Sequence, residues 1–336
     1  MQHTKKISCF LILLLLFSSF FAFSAAAQQV IPGGDAVAVR LQSDGVILLG
    51  FTDESKDNPA RKAGLKRGDR ITKIGESEIH SDDDLIAALN LTAERTTLCY
   101  VRGKKECQTT ITPRRGEDGE PQLGILIKDS TAGIGTLTFV LPDCGGYGCL
   151  GHGITDPDTE ALFCACRGDL YPARITSVRK GLAGAPGELQ GMFGAPLLGS
   201  AVKNTETGLF GTLDAKALSQ REWVDLGNKN EVREGAATIR CTLDEGGIQE
   251  YTIEIVRIYR VFGGTTKNML LKVTDEALLA KTGGIVQGMS GSPIFQNGKL
   301  VGAVTHVLVN DPTSGYGIFI ENMLDNAAQM PMAKAS

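Results

Sequence analysis

The chain has 336 residues, 42% of them hydrophobic and 21% charged, and 34 Lys+Arg stand against 38 Asp+Glu for a net charge of −4. That balance excludes wholesale disorder, and it lacks the basic excess that a nucleic-acid binder needs. The 41 glycines follow no three-residue period, which excludes collagen.

The chain opens with an address. Lys5 and Lys6 precede an apolar run from Ile7 to Phe23 and then Ser24-Ala-Ala-Ala27, the layout of a secretory signal cut after Ala27. The run also has the length of a short membrane anchor, and either reading exports the rest of the chain. Cys9 leaves with a cleaved signal, so seven of the eight cysteines remain, an odd number that leaves one unpaired in a monomer. Cys99 and Cys107 flank a turn at Gly103 and are expected to bridge across a hairpin. Cys144, Cys149, Cys164 and Cys166 lack zinc-finger spacing and are read as small thiols, so no metal is expected.

Residues 37–112 read as a small mixed domain. Val37–Leu41 and Gly45–Phe51 are strand-like, and Pro59–Gly64 suggests a short helix. Ser81-Asp-Asp-Asp84 opens a second helix with Ser81 as its N-cap. A hairpin pairs Thr96–Val101 with Cys107–Thr112. Asn58-Pro-Ala-Arg-Lys-Ala-Gly-Leu-Lys-Arg-Gly-Asp-Arg-Ile-Thr-Lys-Ile-Gly75 resembles a signature segment of bacterial PDZ domains. Leu48, Leu49, Gly50 and Phe51 resemble the loop whose amides bind a peptide carboxylate, which implies capture of a peptide or protein C-terminus by strand addition.

Residues 113–121, polar and bracketed by prolines, read as a linker. Beyond it, 122–330 is a succession of short strands, at 124–127, 135–140, 237–242, 251–259, 269–273, 300–309 and 316–320. Thr274–Lys281 is the best helical candidate. A mainly-β sandwich or barrel is expected.

The chemistry concentrates in Gly288-Met-Ser-Gly-Ser-Pro293. A nucleophilic serine needs a tight turn that exposes its Oγ, with backbone N–H groups aimed at the oxyanion. Gly288 and Ser290 supply those groups. The segment resembles the serine elbow of chymotrypsin-fold peptidases and continues into a matching strand at Leu300–Val304. Of the histidines after the signal, His80 belongs to the small domain. His152, between Gly151 and Gly153, is the favoured base, and His306 is a pocket-lining or structural residue beside Thr305. The orienting acid stays open among Asp156, Asp158, Asp275 and Asp311. Gly284, six residues before the serine, stands where a Lys- or Arg-specific pocket would want an acid, so such specificity is not expected.

Gly124–Phe139, Leu150-Gly-His-Gly-Ile-Thr-Asp-Pro-Asp-Thr159, Val273-Thr-Asp275 and Gly283–Ile294 are similar to the stage IV sporulation protein B family, as is Ala303–Gly317. The resemblance implies a small α+β PDZ domain followed by a mainly-β chymotrypsin-like serine peptidase, with a triad of His152, Asp275 and Ser290 and no cofactor. It also implies self-cleavage and a membrane-associated regulator as protein substrate, in the intermembrane space of a forespore. Two alternatives stand beside it. One is a non-catalytic PDZ scaffold; the other is an envelope quality-control peptidase of the HtrA kind, in which the PDZ domain usually follows the peptidase.

Overall fold

A computed structural model describes residues 28–92, 94–116, 119–156, 161–213, 220–260 and 266–327. The segment 1–27, expected to direct export, and Asp158 lie outside the described residues.

Strand β1 (Gln29–Pro32) leads into β2 (Ala36–Phe51), a 16-residue strand buried along most of its length. Its first half places Val37, Val39 and Leu41 in one core, and its second half places Val46 in another. The second core belongs to the small domain expected at 37–112. Helix α1 (Pro59–Lys62) starts on Asn58, whose side chain accepts from the Ala60 and Arg61 amides, and Pro59 supplies a preset first turn. Strands β3 (Arg70–Ile74) and β4 (Ser77–Glu78) follow, then α2 (Asp82–Asn90). Ser81 caps α2 as expected, with Asp82, Asp83 and Asp84 at the positive helix end. Strands β5 (Thr96–Arg102) and β6 (Lys105–Ile111) form the hairpin. Their register pairs Cys99 with Gln108 and Tyr100 with Cys107. Successive strand residues face opposite sides, so the two thiols lie on opposite faces and the expected bridge does not form.

The linker is itself structured: β7 (Arg114–Arg115) pairs with β8 (Pro121–Gln122). The 16-residue β9 (Ile125–Val140) then runs back antiparallel to β2, pairing 125–128 with 47–51 and 130–136 with 36–42. The small domain therefore hangs on two long strands that continue into the larger one. The boundary expected at 113–121 divides two bodies that share β2 and β9.

After β9 come β10 (Gly146–Cys149), β11 (Ala165–Arg179), β12 (Glu188–Phe193), β13 (Gly199–Thr205), β14 (Gly208–Leu213) and β15 (Val224–Asp225). Pairings run β2–β9–β10–β14–β13–β11 and return from β11 to β2, closing a first barrel. The sequence pattern predicts no strand between 141 and 236, because the burial of these strands comes from distant partners. Residues 36–42 belong to this barrel, and the small domain is an insertion between its first two strands.

The second barrel is β16 (Gly235–Thr242), β17 (Ile248–Ile258), β18 (Met269–Val273), β19 (Pro293–Gln296), β20 (Lys299–Leu308) and β21 (Asp311–Phe319). It closes in the order β16–β17–β18–β21–β20–β19. Helix α3 (Glu276–Thr282) sits between β18 and β19, and α4 (Ile320–Ala327) follows β21. Phe139 and Phe210 of the first barrel share a core with Phe295, Leu300 and Ile318 of the second and Met323 of α4. That shared core fixes the cleft between the barrels.

Candidate active site

The nucleophile turn lies between α3 and β19, and both barrels hold it by its carbonyls. The Leu189 N–H donates to Gln287 O (2.8 Å). The N–H and Oγ of Ser292 donate to Met289 O (3.0 and 2.6 Å). From β9, Thr136 Oγ1 donates to Gly288 O (2.9 Å) and its N–H to Ser290 O (2.9 Å), while Thr138 Oγ1 reaches Gly291 O (2.7 Å). A trans peptide points its N–H opposite to its C=O. Pinning the Gln287 and Met289 carbonyls therefore turns the Gly288 and Ser290 N–H groups the other way, and neither has an acceptor among the described residues. Glycine is required here: Gly288 and Gly291 sit at φ +97° and +95°, and a Cβ on Gly291 would stand 2.0 Å from Thr136 O.

His152 follows β10 through a left-handed turn at Leu150 (φ 71°) and Gly151 (φ 67°). A leucine in that region costs ~1–3 kcal/mol. Its N–H donates to Thr136 O (3.2 Å) and its side chain is buried, which holds the turn. The His152 Nδ1 lies 2.8 Å from Gly153 O. A carbonyl only accepts, so Nδ1 carries the proton and a neutral ring keeps Nε2 as its lone-pair nitrogen. Burial pushes the imidazole below its ordinary pKa, with the Gly153 carbonyl opposing in part. Asn204 braces the segment after His152: its Oδ1 accepts from Ile154 N–H (2.9 Å), and its Nδ2 donates to Ile154 O (2.8 Å) and Phe163 O (2.9 Å).

Ser290, His152, Thr305 and His306 line one cavity of about 450 Å³ with Ile285 and Val307 among its apolar walls. Ser290 Oγ donates to Thr305 O (2.7 Å). The His152 and His306 rings lie 4.8 Å apart between centroids, tilted by 34°. Burial, with the charges of His152 and Lys267 adding, pushes His306 down to about 4, so its ring is neutral at pH 7. Gly284 does not line the cavity. It packs behind the wall, where a Cβ would meet Pro312 O at 2.1 Å.

Asp275, which the resemblance placed in the triad, caps α3 instead. Its Oδ1 accepts from Leu278 N–H (2.9 Å) and its Oδ2 from Thr252 N–H (3.3 Å), and no hydrogen bond joins it to His152. Asp156 pairs with Lys128 on the far side of the segment, and Asp311 is held by Lys272, Thr313 and Ser314. Among the described residues no carboxylate lines the cavity. The group that orients His152 is the Gly153 carbonyl.

The expected carboxylate-binding loop also moves. Leu48, Leu49, Gly50 and Phe51 run inside β2: Leu48 pairs with Ile127, Gly50 with Leu126 and Phe51 with Ile125. On the other side Leu48 N–H donates to Asp69 O (2.9 Å). The Leu48 amide is thus taken up by the sheet, and the four residues lie within a strand rather than forming a loop. The open edge of the small domain is instead β9 at 125–128, which pairs only with β2 there and packs beside α2. Thr52 N–H donates to Gly124 O (3.0 Å), which makes Phe51–Ile125 a non-hydrogen-bonded pair and turns the Ile125 N–H outward. Leu123-Gly-Ile125 was the available signal in the sequence, overlooked because it falls next to the linker. Thr136, Thr138 and Asn204 were also missed, since threonines in a strand and an asparagine near a turn have no motif of their own.

The family model described as SpoIVB peptidase S55 matches residues 119–324, and that of the PDZ domain matches 37–112. No curated protein matches the chain. Among solved structures, the chain is similar to the PDZ domain of an SdrC-like protein from Listeria monocytogenes, at 24% identity over 26% of this chain and 90% of that one, TM-score 0.23. It is similar to the active form of a protease from M. tuberculosis, at 12% identity over 76% of this chain and 90% of that one, TM-score 0.37. An HtrA-type protease, AlgW with a decapeptide, matches at 15% identity over 62% of this chain and 53% of its own, TM-score 0.34.

Proposed function

The chain belongs to the SpoIVB peptidase S55 family, and from that premise we propose that it is an exported sporulation endopeptidase that cleaves itself and then a membrane-associated regulator. Loss of that regulator would release an intramembrane metalloprotease to process a sigma-factor precursor. The chain is a serine endopeptidase with a PDZ domain. One observation carries the chemistry: Ser290 and His152 line one cavity with the Gly288 and Ser290 N–H groups unspent.

In the resting cleft the Ser290 hydroxyl is parked on Thr305 O. An extended substrate offers the amide N–H of the residue before the scissile bond to that same carbonyl, and so frees Oγ to turn to His152 Nε2. Oγ attacks the scissile carbonyl carbon as Nε2 takes its proton. The oxyanion settles on the Gly288 and Ser290 N–H groups. His152 then protonates the leaving amine, and a water activated by the same nitrogen hydrolyses the acyl ester. With apolar walls at Ile285 and Val307 and no acid, the cavity suits an uncharged residue at the cut.

The apolar segment Ile7–Phe23 supports export to, or anchoring at, the membrane facing the forespore intermembrane space. The outward edge at Ile125–Lys128 beside α2 is the place for a peptide or protein C-terminus. The test is incubation of the purified chain alone and with a membrane-anchored candidate regulator, followed by N-terminal sequencing of the products. Wild type is expected to yield new N-termini in both, and Ser290→Ala in neither. Identical products from Ser290→Ala would sink the proposal.

A further inference from the structure

The geometry of β20 beside Ser290 also limits which peptides can be cut, an inference that rests on the peptidase reading of the cleft. Strand β20 pairs with β21 on one side, with His306 opposite Tyr316 and Val307 opposite Gly315. On its other side, pairing with β19 ends at Ala303. From Thr305 to Val307 that second edge opens on the cavity, and the Thr305 carbonyl points into it, as its bond from Ser290 Oγ shows.

The pairing with β21 carries a bulge between Val304 and His306, which leaves the Thr305 carbonyl on the open edge; the trans peptide then points the His306 N–H to β21, and from there successive residues face alternate edges. Val307 therefore presents its N–H and C=O beside the Thr305 carbonyl, while the His306 backbone faces β21. A peptide adding antiparallel to this edge bonds Thr305 through the residue at the cut and Val307 through the third residue before it. The residue between them, second before the cut, stands opposite His306 as a non-hydrogen-bonded pair. Such pairs hold their Cα atoms about 4.5 Å apart with both side chains on one face.

That face is already filled. The His306 ring touches the His152 ring, 4.8 Å between centroids. A carbon inserted between two ring faces needs about 7 to 8 Å, twice the optimal carbon–carbon separation. We propose that His306 is a specificity-determining residue that restricts the substrate to Gly, Ala or Ser at the second position before the cut. The pairing of the rings leaves a branched or aromatic side chain no slot, while a hydrogen, a methyl or a hydroxymethyl fits above them.

The test digests a proteome-derived peptide library with the purified chain and reads the residues flanking each new terminus. Wild type is expected to enrich Gly, Ala and Ser over Leu, Ile and Phe at the second position by about tenfold, the discrimination one or two methylenes supply. In His306→Ala the ratio of kcat/KM for a Leu-containing peptide over its Ala-containing twin should rise by about tenfold. A flat or bulky preference in wild type overturns the inference, and so does an unchanged ratio in a folded His306→Ala. The wild-type profile decides alone if that variant does not fold. Cleavage that survives in Ser290→Ala belongs to another enzyme and overturns the peptidase reading along with the inference.

Discussion

His152 holds its proton on the side of the Gly153 carbonyl, and that single bond decides which nitrogen meets Ser290. Because burial lowers the pKa of the ring, the neutral form needed for catalysis persists to a lower pH than in an exposed histidine. Activity is gained as pH rises through that depressed pKa, so the acid limb of kcat/KM should lie below 6.5. An acid limb above that value contradicts the buried, neutral His152. At Asp275 the cap predicts a different outcome from a triad acid. Asparagine caps as well as aspartate and loses only the 3.3 Å bond from Thr252 N–H, so Asp275→Asn should leave kcat/KM near wild type and lower the melting temperature less than Asp275→Ala, which should cost ~1 kcal/mol of stability. A fall in kcat of about 10⁴ for Asp275→Asn, the size seen when a triad acid loses its charge, would restore Asp275 to the triad.

Strand β9 ties the PDZ edge to the nucleophile turn. Its residues 125–128 lie against the PDZ strand, and Thr136 and Thr138 further along it bind the Gly288, Ser290 and Gly291 carbonyls. Thr136→Val keeps the shape and removes only the hydroxyl. Loosening the Gly288 peptide should lower kcat by about tenfold or more, part of the loss caused by removing an oxyanion donor outright, with KM little changed. Steady-state kinetics on one peptide checks this, and an unaltered kcat would mean the turn holds itself. Elements with local chemistry were legible in the sequence. Ser81 capping α2 and the glycine-framed Ser290 turn each write their geometry into a few adjacent residues. The strands between 146 and 213 were not legible, because their burial comes from partners far along the chain. The same is true of Asp275: a cap and a triad acid are the same residue until its neighbours in space are known.

At the scale of the whole molecule, the domain order in the sequence differs from the order in space. Residues 36–42 close the first barrel between β9 and β11, although all but Ala36 fall within the stretch that the PDZ family model matches. A chain beginning at residue 119, where the family model begins, lacks that strand. It should fail to give a cooperative thermal melt, since the barrel opens and Val37, Val39 and Leu41 leave its core. Excising the PDZ domain by joining Gln42 to Ser130, which face each other across the ladder, through a two-residue turn should preserve a folded peptidase. Circular dichroism of both chains checks the pair; a stable fold for the first or none for the second contradicts the insertion. The central claim, that Ser290 is a nucleophile made reactive by His152 in the cleft between the barrels, is tested most directly by reacting the purified chain with a fluorophosphonate and mapping the adduct by mass spectrometry. The account predicts one adduct, on Ser290, lost in His152→Ala. An adduct on another residue, or one on Ser290 that forms as fast without His152, would contradict it.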